Sequence, residues 1–192
     1  MRYIIILVAV LMLSACTGNR AAEKDGQGSG LSAKMDKVEI PEDITIAEAC
    51  TELLDDSPSR VSNINLACGA INGLVLSPGG RFSFNDTVGR RTEANGYKDA
   101  PVLVDGHKEQ GCGGGVCQVS STLYMAALQA GLQIDERHKH SESVSYAPDG
   151  NDATVVYGQK DMAFTNSTDK PITLSVWTDG KYVFSSITQK SS

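Results

Sequence analysis

Apolar positions along this chain change their spacing several times, and each change marks an element. Residues 4–13 form an unbroken apolar run behind the basic start Met1-Arg2, too short for the roughly 20 residues a bilayer span needs. It reads as a secretory signal over residues 1–15. Residues 17–34 are rich in Gly, Ser and charged side chains with almost nothing to bury, the composition of a flexible spacer. After Ser57-Pro58, an N-cap followed by Pro at the first helical position, Val61, Ile64, Cys68, Ile71 and Val75 recur at steps of three and four. That spacing predicts one helix face, ended by Ser77-Pro78-Gly79-Gly80. From Val116, the positions Val119, Leu123, Ala127 and Ala130 predict a second and stronger helix that stops at Gly131.

Between and beyond these helices the β-branched and aromatic runs predict strands. They fall at residues 38–46 (broken by Pro41), 81–85, 100–104, 134–146, 153–157, 162–165, 172–177 and 182–187, the last two joined by the hairpin signal Asp179-Gly180. Two main helices with a mixed or antiparallel sheet give an α+β fold whose C-terminal half is β-rich. No repeat or second domain interrupts residues 35–192, which are read as one domain behind a lipidated residue and linker at 16–34.

Composition narrows the function. With 41% hydrophobic and 21% charged residues the chain is of ordinary globular type, not disordered. Lys and Arg number 17 against 23 Asp and Glu, for a net charge of −6. Without a basic footprint, nucleic acid is excluded as a partner. Leu13-Ser14-Ala15-Cys16 resembles a bacterial lipobox, in which cleavage before Cys16 leaves that residue as the acylated N-terminus. Several acyl chains there would tether the protein to the outer side of a bacterial membrane without spanning it.

The candidate chemistry gathers at the second helix. Cys117 follows Gly113, Gly114 and Gly115 and opens that helix, where unpaired N–H groups and the helix dipole stabilise an anion and lower a thiol's pKa. The glycines permit positive φ angles and close approach, so their amides could line an oxyanion hole. Ser121 and Tyr124, four and seven residues on, share the helix face of Cys117 and are expected to border a cleft. The alternative for Cys117 is the buried apolar role common to free cysteines.

A thiolate nucleophile needs a group to hold its proton, and the chain has three His. His107 lies in a polar loop. His138 and His140, on a segment read as a strand, would face one side with Ile134, while Arg137 and Lys139 face the other. Either could reach Cys117. Asp149 or Asp152, in the following turn, could orient an imidazole. Cys112, Cys117, His138 and His140 together could also bind zinc, but their spacing matches no familiar site. The favoured reading therefore assigns no metal and no cofactor. In an oxidising compartment Cys50 and Cys68 are the first choice for a disulfide, with Cys112–Cys117 the competitor.

These residues carry a family resemblance. Asn63-Ile64, Ser77-Pro78-Gly79, Phe82-Ser83-Phe84-Asn85, Val88-Gly89-Arg90-Arg91-Thr92 and Gly96-Tyr97 precede Gly113-Gly114-Gly115-Val116-Cys117-Gln118-Val119-Ser120-Ser121-Thr122-Leu123-Tyr124. Glu136-Arg137-His138, His140-Ser141 and Gly150-x-Asp152-Ala153-Thr154-Val155 follow. In this order, across roughly residues 57–176, they resemble the VanW-like proteins, named from an accessory gene of glycopeptide-resistance clusters. The resemblance implies peptidoglycan stem peptides as partners and an L,D-transpeptidase type of acyl transfer. Cys117 would be the nucleophile, His140 or His138 the base, and Gly113 to Gly115 with Ser120 or Ser121 would surround the oxyanion. The rival expectation is a non-catalytic envelope lipoprotein that binds wall peptides or a resistance partner in the same cleft.

Overall fold

A computed structural model describes residues 43–104 and 107–191. The signal segment, Cys16 and the linker lie outside the described residues, as does the extended segment expected at 38–46 up to residue 42. No helix among the described residues is long and apolar enough to cross a membrane.

The architecture is α+β. A four-stranded antiparallel sheet has the order β1-β9-β8-β2, from β1 (Ile44–Glu52), β2 (Leu74–Leu76), β8 (Ile172–Thr178) and β9 (Tyr182–Gln189). Helices α1 (Pro58–Ile71) and α3 (Val116–Gln129) pack on it, α1 against β8 and α3 against β1 and β9. Ile64, Ala67 and Ile71 of α1 and Val119, Leu123 and Ala126 of α3 are fully buried against Leu174, Val176, Val183 and Ile187. This alternation of inward positions along β8 and β9 is what gives those strands their clear sequence signal. The hairpin between them closes at Asp179-Gly180 as expected: Gly180 has φ 88° and the Asp179 carboxylate accepts from the amides of Lys181 (2.8 Å) and Tyr182 (2.7 Å).

A second sheet, β3-β7-β6, is built from β3 (Arg81–Ser83), β7 (Ala163–Thr165) and β6 (Gln133–Glu136). Its core is aromatic, with Phe82 stacked on Phe164 at 4.9 Å and Phe84 edge-on to Phe82. The short helix α2 (Phe84–Val88) begins there, capped by Ser83, whose Oγ accepts from the Asp86 amide at 3.1 Å. The ribbon of β4 (Asp99–Val104) and β5 (His107–Cys112) completes the set.

Several expectations are corrected. Helix α1 stops at Ile71, one turn before Val75, because the chain turns at Asn72 and Gly73 (φ 85°). Val75 is instead on β2 with its side chain exposed. His107, read as part of a polar Asp-Gly-His-Lys-Glu loop, instead opens a strand, since residues 107–112 pair with β4. Of the strand expected at 134–146 only Gln133–Glu136 forms, and residues 153–157 contribute one bridge, Val156 to Lys160. The backbone groups there are taken by other partners: the Thr154 amide donates to the His138 carbonyl (2.8 Å), and the His140 amide donates to the Asp152 carboxylate (2.7 Å). The Cys50–Cys68 disulfide is not formed. Strand alternation turns Cys50 to the exposed face of β1 while Cys68 is buried on α1, and Cys50, Cys68, Cys112 and Cys117 are all free thiols.

Candidate active site

The glycine run is a turn that only glycine can make. β5 ends at Cys112, and the chain must reverse against β4 before entering α3. Gly113 and Gly115 do this with φ of 88° and 103°. A Cβ on Gly114 would lie 2.6 Å from the Pro101 carbonyl oxygen and 2.7 Å from that of Ala100, so β4 itself forbids a side chain. The fully buried Asn63 of α1 pins the turn. Its Nδ2 donates to the carbonyls of Lys98 (2.9 Å) and Gly114 (3.0 Å), and its Oδ1 accepts from the Lys98 amide (2.8 Å). This geometry sets Cys117 in the first turn of α3, where Gly115 is the N-cap and no side chain caps the free amides. Among the described residues, the Gly115 and Cys117 amides have no backbone carbonyl as acceptor.

Cys117 Sγ lies 3.6 Å from the Val155 carbonyl oxygen and 3.7 Å from Thr154 Oγ1, and the His140 imidazole lines the same cavity and acts electrostatically on the sulfur. His140 Nδ1 is 2.6 Å from Asp152 Oδ2. An ionised carboxylate only accepts, so Nδ1 carries a hydrogen and Nε2 is left as the ring's acceptor, 3.5 Å from Tyr146 Oη. The same oxygen accepts the His140 amide at 2.7 Å, while Oδ1 accepts from Arg137 Nη2 at 2.8 Å and Arg137 Nε donates to the Asp152 carbonyl at 2.7 Å. Cys117, His140 and Asp152 thus form a continuous relay of nucleophile, base and orienting acid. The side chains of His140 and Asp152 are only 8% and 12% exposed.

The electrostatics favour charge separation. Burial pushes the Cys117 thiol up, but the His140 hydrogen bond, the Val155 backbone and the imidazolium charge, with Thr154, together bring it below its ordinary 9.0. Burial likewise pulls His140 down, and its bonds to Cys117 and Asp152 overcome this and raise it above 6.5. Asp152 resists the upward effect of burial through the His140 amide and ring, and through Arg137, and stays below 3.8. The lowered thiol and the raised imidazole each shift in the direction that favours proton transfer from sulfur to ring.

The other expected residues divide. Gly113, Gly114 and Gly115 line a cavity of about 510 Å³ with Cys117 and His140. His138 does not face the sulfur: with the strand lost, its Nε2 turns to Glu136 Oε1 at 2.9 Å, and the side chain is 38% exposed. Asp149 accepts from Ser143 Oγ (3.0 Å) on the surface. Ser120, Ser121 and Tyr124 are buried away from the cavity, correcting their expected place at a cleft. Ser120 Oγ donates to the Ala153 carbonyl (2.6 Å) and Ser121 Oγ accepts the Ala153 amide (2.9 Å), which clamps the irregular segment bearing Asp152 to the helix bearing Cys117. The Tyr124 ring underlies the Arg137 guanidinium at 5.4 Å. Among the described residues no group of three His, Cys, Asp or Glu is arranged to hold a metal ion.

Sequence reasoning missed Arg137, Thr154, Tyr146 and the cavity's two arginines, Arg60 and Arg91. Arg137 had been assigned to the face opposite the histidines by strand alternation, an argument void in an irregular segment. Arg91 sits within a motif quoted for the family resemblance, the one signal that pointed to it. Arg60 carried no signal of its own.

Comparisons with known proteins follow the same residues. The sequence pattern of a family described as "VanW like protein" matches residues 59–188. "Uncharacterized protein YoaR" of Bacillus subtilis (strain 168) is 43% identical over 152 residues, 71% of this chain and 50% of that protein. "Vancomycin B-type resistance protein VanW" of Enterococcus faecalis (strain ATCC 700802 / V583) is 33% identical over 124 residues, 62% of this chain and 44% of that protein. The chain spans about half the length of these curated relatives. No solved structure matches it.

Proposed function

We infer, since this chain belongs to the VanW-like family, that its domain is a cysteine acyl transferase of the cell envelope acting on peptidoglycan stem peptides in the manner of an L,D-transpeptidase. The observation that carries this reading is the Cys117–His140–Asp152 relay beside a cavity of about 510 Å³. Relationship to a protein named for vancomycin resistance supports placing the substrate in the wall. The lipobox-like Leu13-Ser14-Ala15-Cys16 supports a lipid tether on the extracytoplasmic side.

In the proposed reaction the Cys117 thiolate adds to a peptide carbonyl, and the developing oxyanion is met by the Gly115 and Cys117 amides at the start of α3. His140, protonated in the resting pair, gives its proton to the departing amine as the C–N bond breaks, leaving a thioester. An acceptor amine then loses a proton to His140 and attacks the thioester, and the thiolate leaves as the new amide forms. Asp152 holds the imidazole in the required tautomer throughout. Arg137 and the Ser120–Ser121 clamp hold Asp152.

Purified protein incubated with disaccharide-peptides is expected to yield cross-linked or exchanged products, and Cys117→Ala to yield none. Equal product from both proteins would remove Cys117 from the chemistry. Peptide binding that survives Cys117→Ala, with no transfer by wild type, would instead establish the non-catalytic wall-binding lipoprotein. Mass spectrometry of the membrane fraction tests the tether: an acylated Cys16 at the mature N-terminus is expected, and a soluble protein with an unmodified Cys16 would refute it.

A further inference from the structure

The proposed transfer leaves two cationic side chains of the cavity unused. Arg60 and Arg91 flank the Gly113–Gly115 turn, one at each end. A Cβ on Gly113 would lie 2.7 Å from Arg91 Cβ, and one on Gly115 would lie 2.9 Å from Arg60 Cγ. The glycines therefore make room for the arginine stems as well as for the turn. Both arginines line the cavity that Cys117 and His140 line, in a chain whose net charge is −6.

Each guanidinium is held but not satisfied. Arg91 Nη1 donates to Asn85 Oδ1 and to the Gly89 carbonyl, both at 2.8 Å, and its position is steadied over the Phe84 ring at 5.9 Å. Its Nη2 and Nε donate to no protein acceptor among the described residues. Arg60 Nη2 donates to Oε1 of the buried Gln118 at 2.9 Å, and Gln118 is fixed in turn by Thr51 and the Glu52 carbonyl. Arg60 Nε is sealed from solvent with no acceptor. Asp55 also lines the cavity, and its carboxylate accepts the Ser57 amide at 3.0 Å. Arg91 and Cys117 line the same cavity, and the charge on either one acts on the other. Two anchored planar cations lining one cleft beside a nucleophile, Arg91 with N–H groups that no described protein acceptor takes, make a site for a planar anion.

We propose that Arg91, assisted by Arg60, binds the free terminal carboxylate of the acyl donor, so that the site takes peptides whose scissile bond lies next to a free C-terminus. Consecutive Cα atoms are about 3.8 Å apart, so a carboxylate one residue beyond the attacked carbonyl stays within the cavity. The carboxylate departs with the leaving amine, and the vacated arginines then leave the thioester open to an uncharged acceptor. This inference rests on the acyl-transfer reading above but concerns only which donors enter.

The test measures binding, not turnover. Cys117→Ala protein is titrated calorimetrically with a disaccharide-tetrapeptide carrying a free terminal carboxyl and with the same molecule amidated at that carboxyl. The free acid should bind about ten- to a hundredfold tighter, the range for one charge-assisted hydrogen bond. The ratio should fall towards one in Cys117→Ala with Arg91→Gln, fall less with Arg60→Gln, and be partly restored by Arg91→Lys. Thermal unfolding of each variant verifies that it is folded, and the acid-to-amide comparison in the Arg-intact protein needs no arginine variant at all. Equal affinity for acid and amide overturns the carboxylate site while leaving the acyl-transfer reading standing. A preference that persists unchanged in both arginine variants also overturns it. Failure to bind either peptide removes the peptidoglycan reading itself, and this inference with it.

Discussion

Replacing Asp152 by Asn changes a charge and almost no volume, and it isolates the part of the relay that sets the imidazole. In the native site the carboxylate accepts His140 Nδ1–H at 2.6 Å, the His140 amide at 2.7 Å and Arg137 Nη2 at 2.8 Å. An Asn can keep the amide or arginine bond through its Oδ1, but only one of its two ends can accept. The other is an NH₂ group that cannot receive Nδ1–H. The imidazole is then driven to the tautomer with hydrogen on Nε2, which cannot take the proton of Cys117. Losing one hydrogen bond to a charged group in a site this buried costs about 1.5 to 3 kcal/mol, or about one to two powers of ten in the thiolate population at neutral pH. The assay is the rate of alkylation of Cys117 by iodoacetamide against pH, read by peptide mass spectrometry. Wild type should react well below pH 9, with a rate that falls as pH drops through the lowered pKa of the thiol. Asp152→Asn should move the rising limb up by about one to two pH units. Superposable profiles for the two proteins would refute the argument that Asp152 acts through His140 on the sulfur.

Other expectations can be checked with the same protein. His140→Ala should remove the neutral-pH alkylation of Cys117, whereas His138→Ala, whose imidazole meets Glu136, should leave it within about twofold; a large effect of His138→Ala would reverse the assignment of the base. Cys68 is pushed by burial from 9.0 to about 12, so the unfolded chain ionises there while the folded chain does not. Stability should fall with rising pH across that window, by up to about 1.4 kcal/mol per unit. Denaturant unfolding should show the stability of Cys68→Ala gaining on wild type above pH 9, and parallel curves would sink the argument. Gly114→Ala places a methyl against the backbone of Ala100 and Pro101 and should destabilise the fold by about 1 to 3 kcal/mol, with loss of Cys117 reactivity as the turn shifts. An unchanged unfolding midpoint would show that β4 yields easily.

What the sequence determined by itself was everything governed by local periodicity and local backbone chemistry. The three- and four-residue spacing of Ile64, Cys68 and Ile71, and of Val119, Leu123 and Ala127, specified helices because it lines apolar side chains along one face, although α3 is buried around most of its circumference. Alternation along residues 172–177 and 182–187, with Asp179-Gly180 between, specified the hairpin for the same kind of reason. The placement of Cys117 at a helix start after three glycines was equally local, and so was the family pattern carried by those residues.

Tertiary structure decided the rest, because it depended on which distant groups satisfied which backbone atoms. Residues 137–146 read as the continuation of the strand begun at Ile134, yet the His140 amide and the His138 carbonyl meet Asp152 and Thr154 in place of a neighbouring strand. That one difference separates His140, which turns to the sulfur, from His138, which turns to Glu136. Strand alternation would have put them on one side. Ser120 and Ser121, polar residues on the best helix, read as cleft residues until the Ala153 backbone supplied a buried partner for each. Arg60 and Arg91 lie far apart along the chain and meet only where α1 and the segment after α2 flank the glycine turn. Periodicity sets which face of an element is apolar, but the convergence of a thiol, an imidazole, a carboxylate and two guanidiniums is set by packing between elements, and no short-range pattern encodes it.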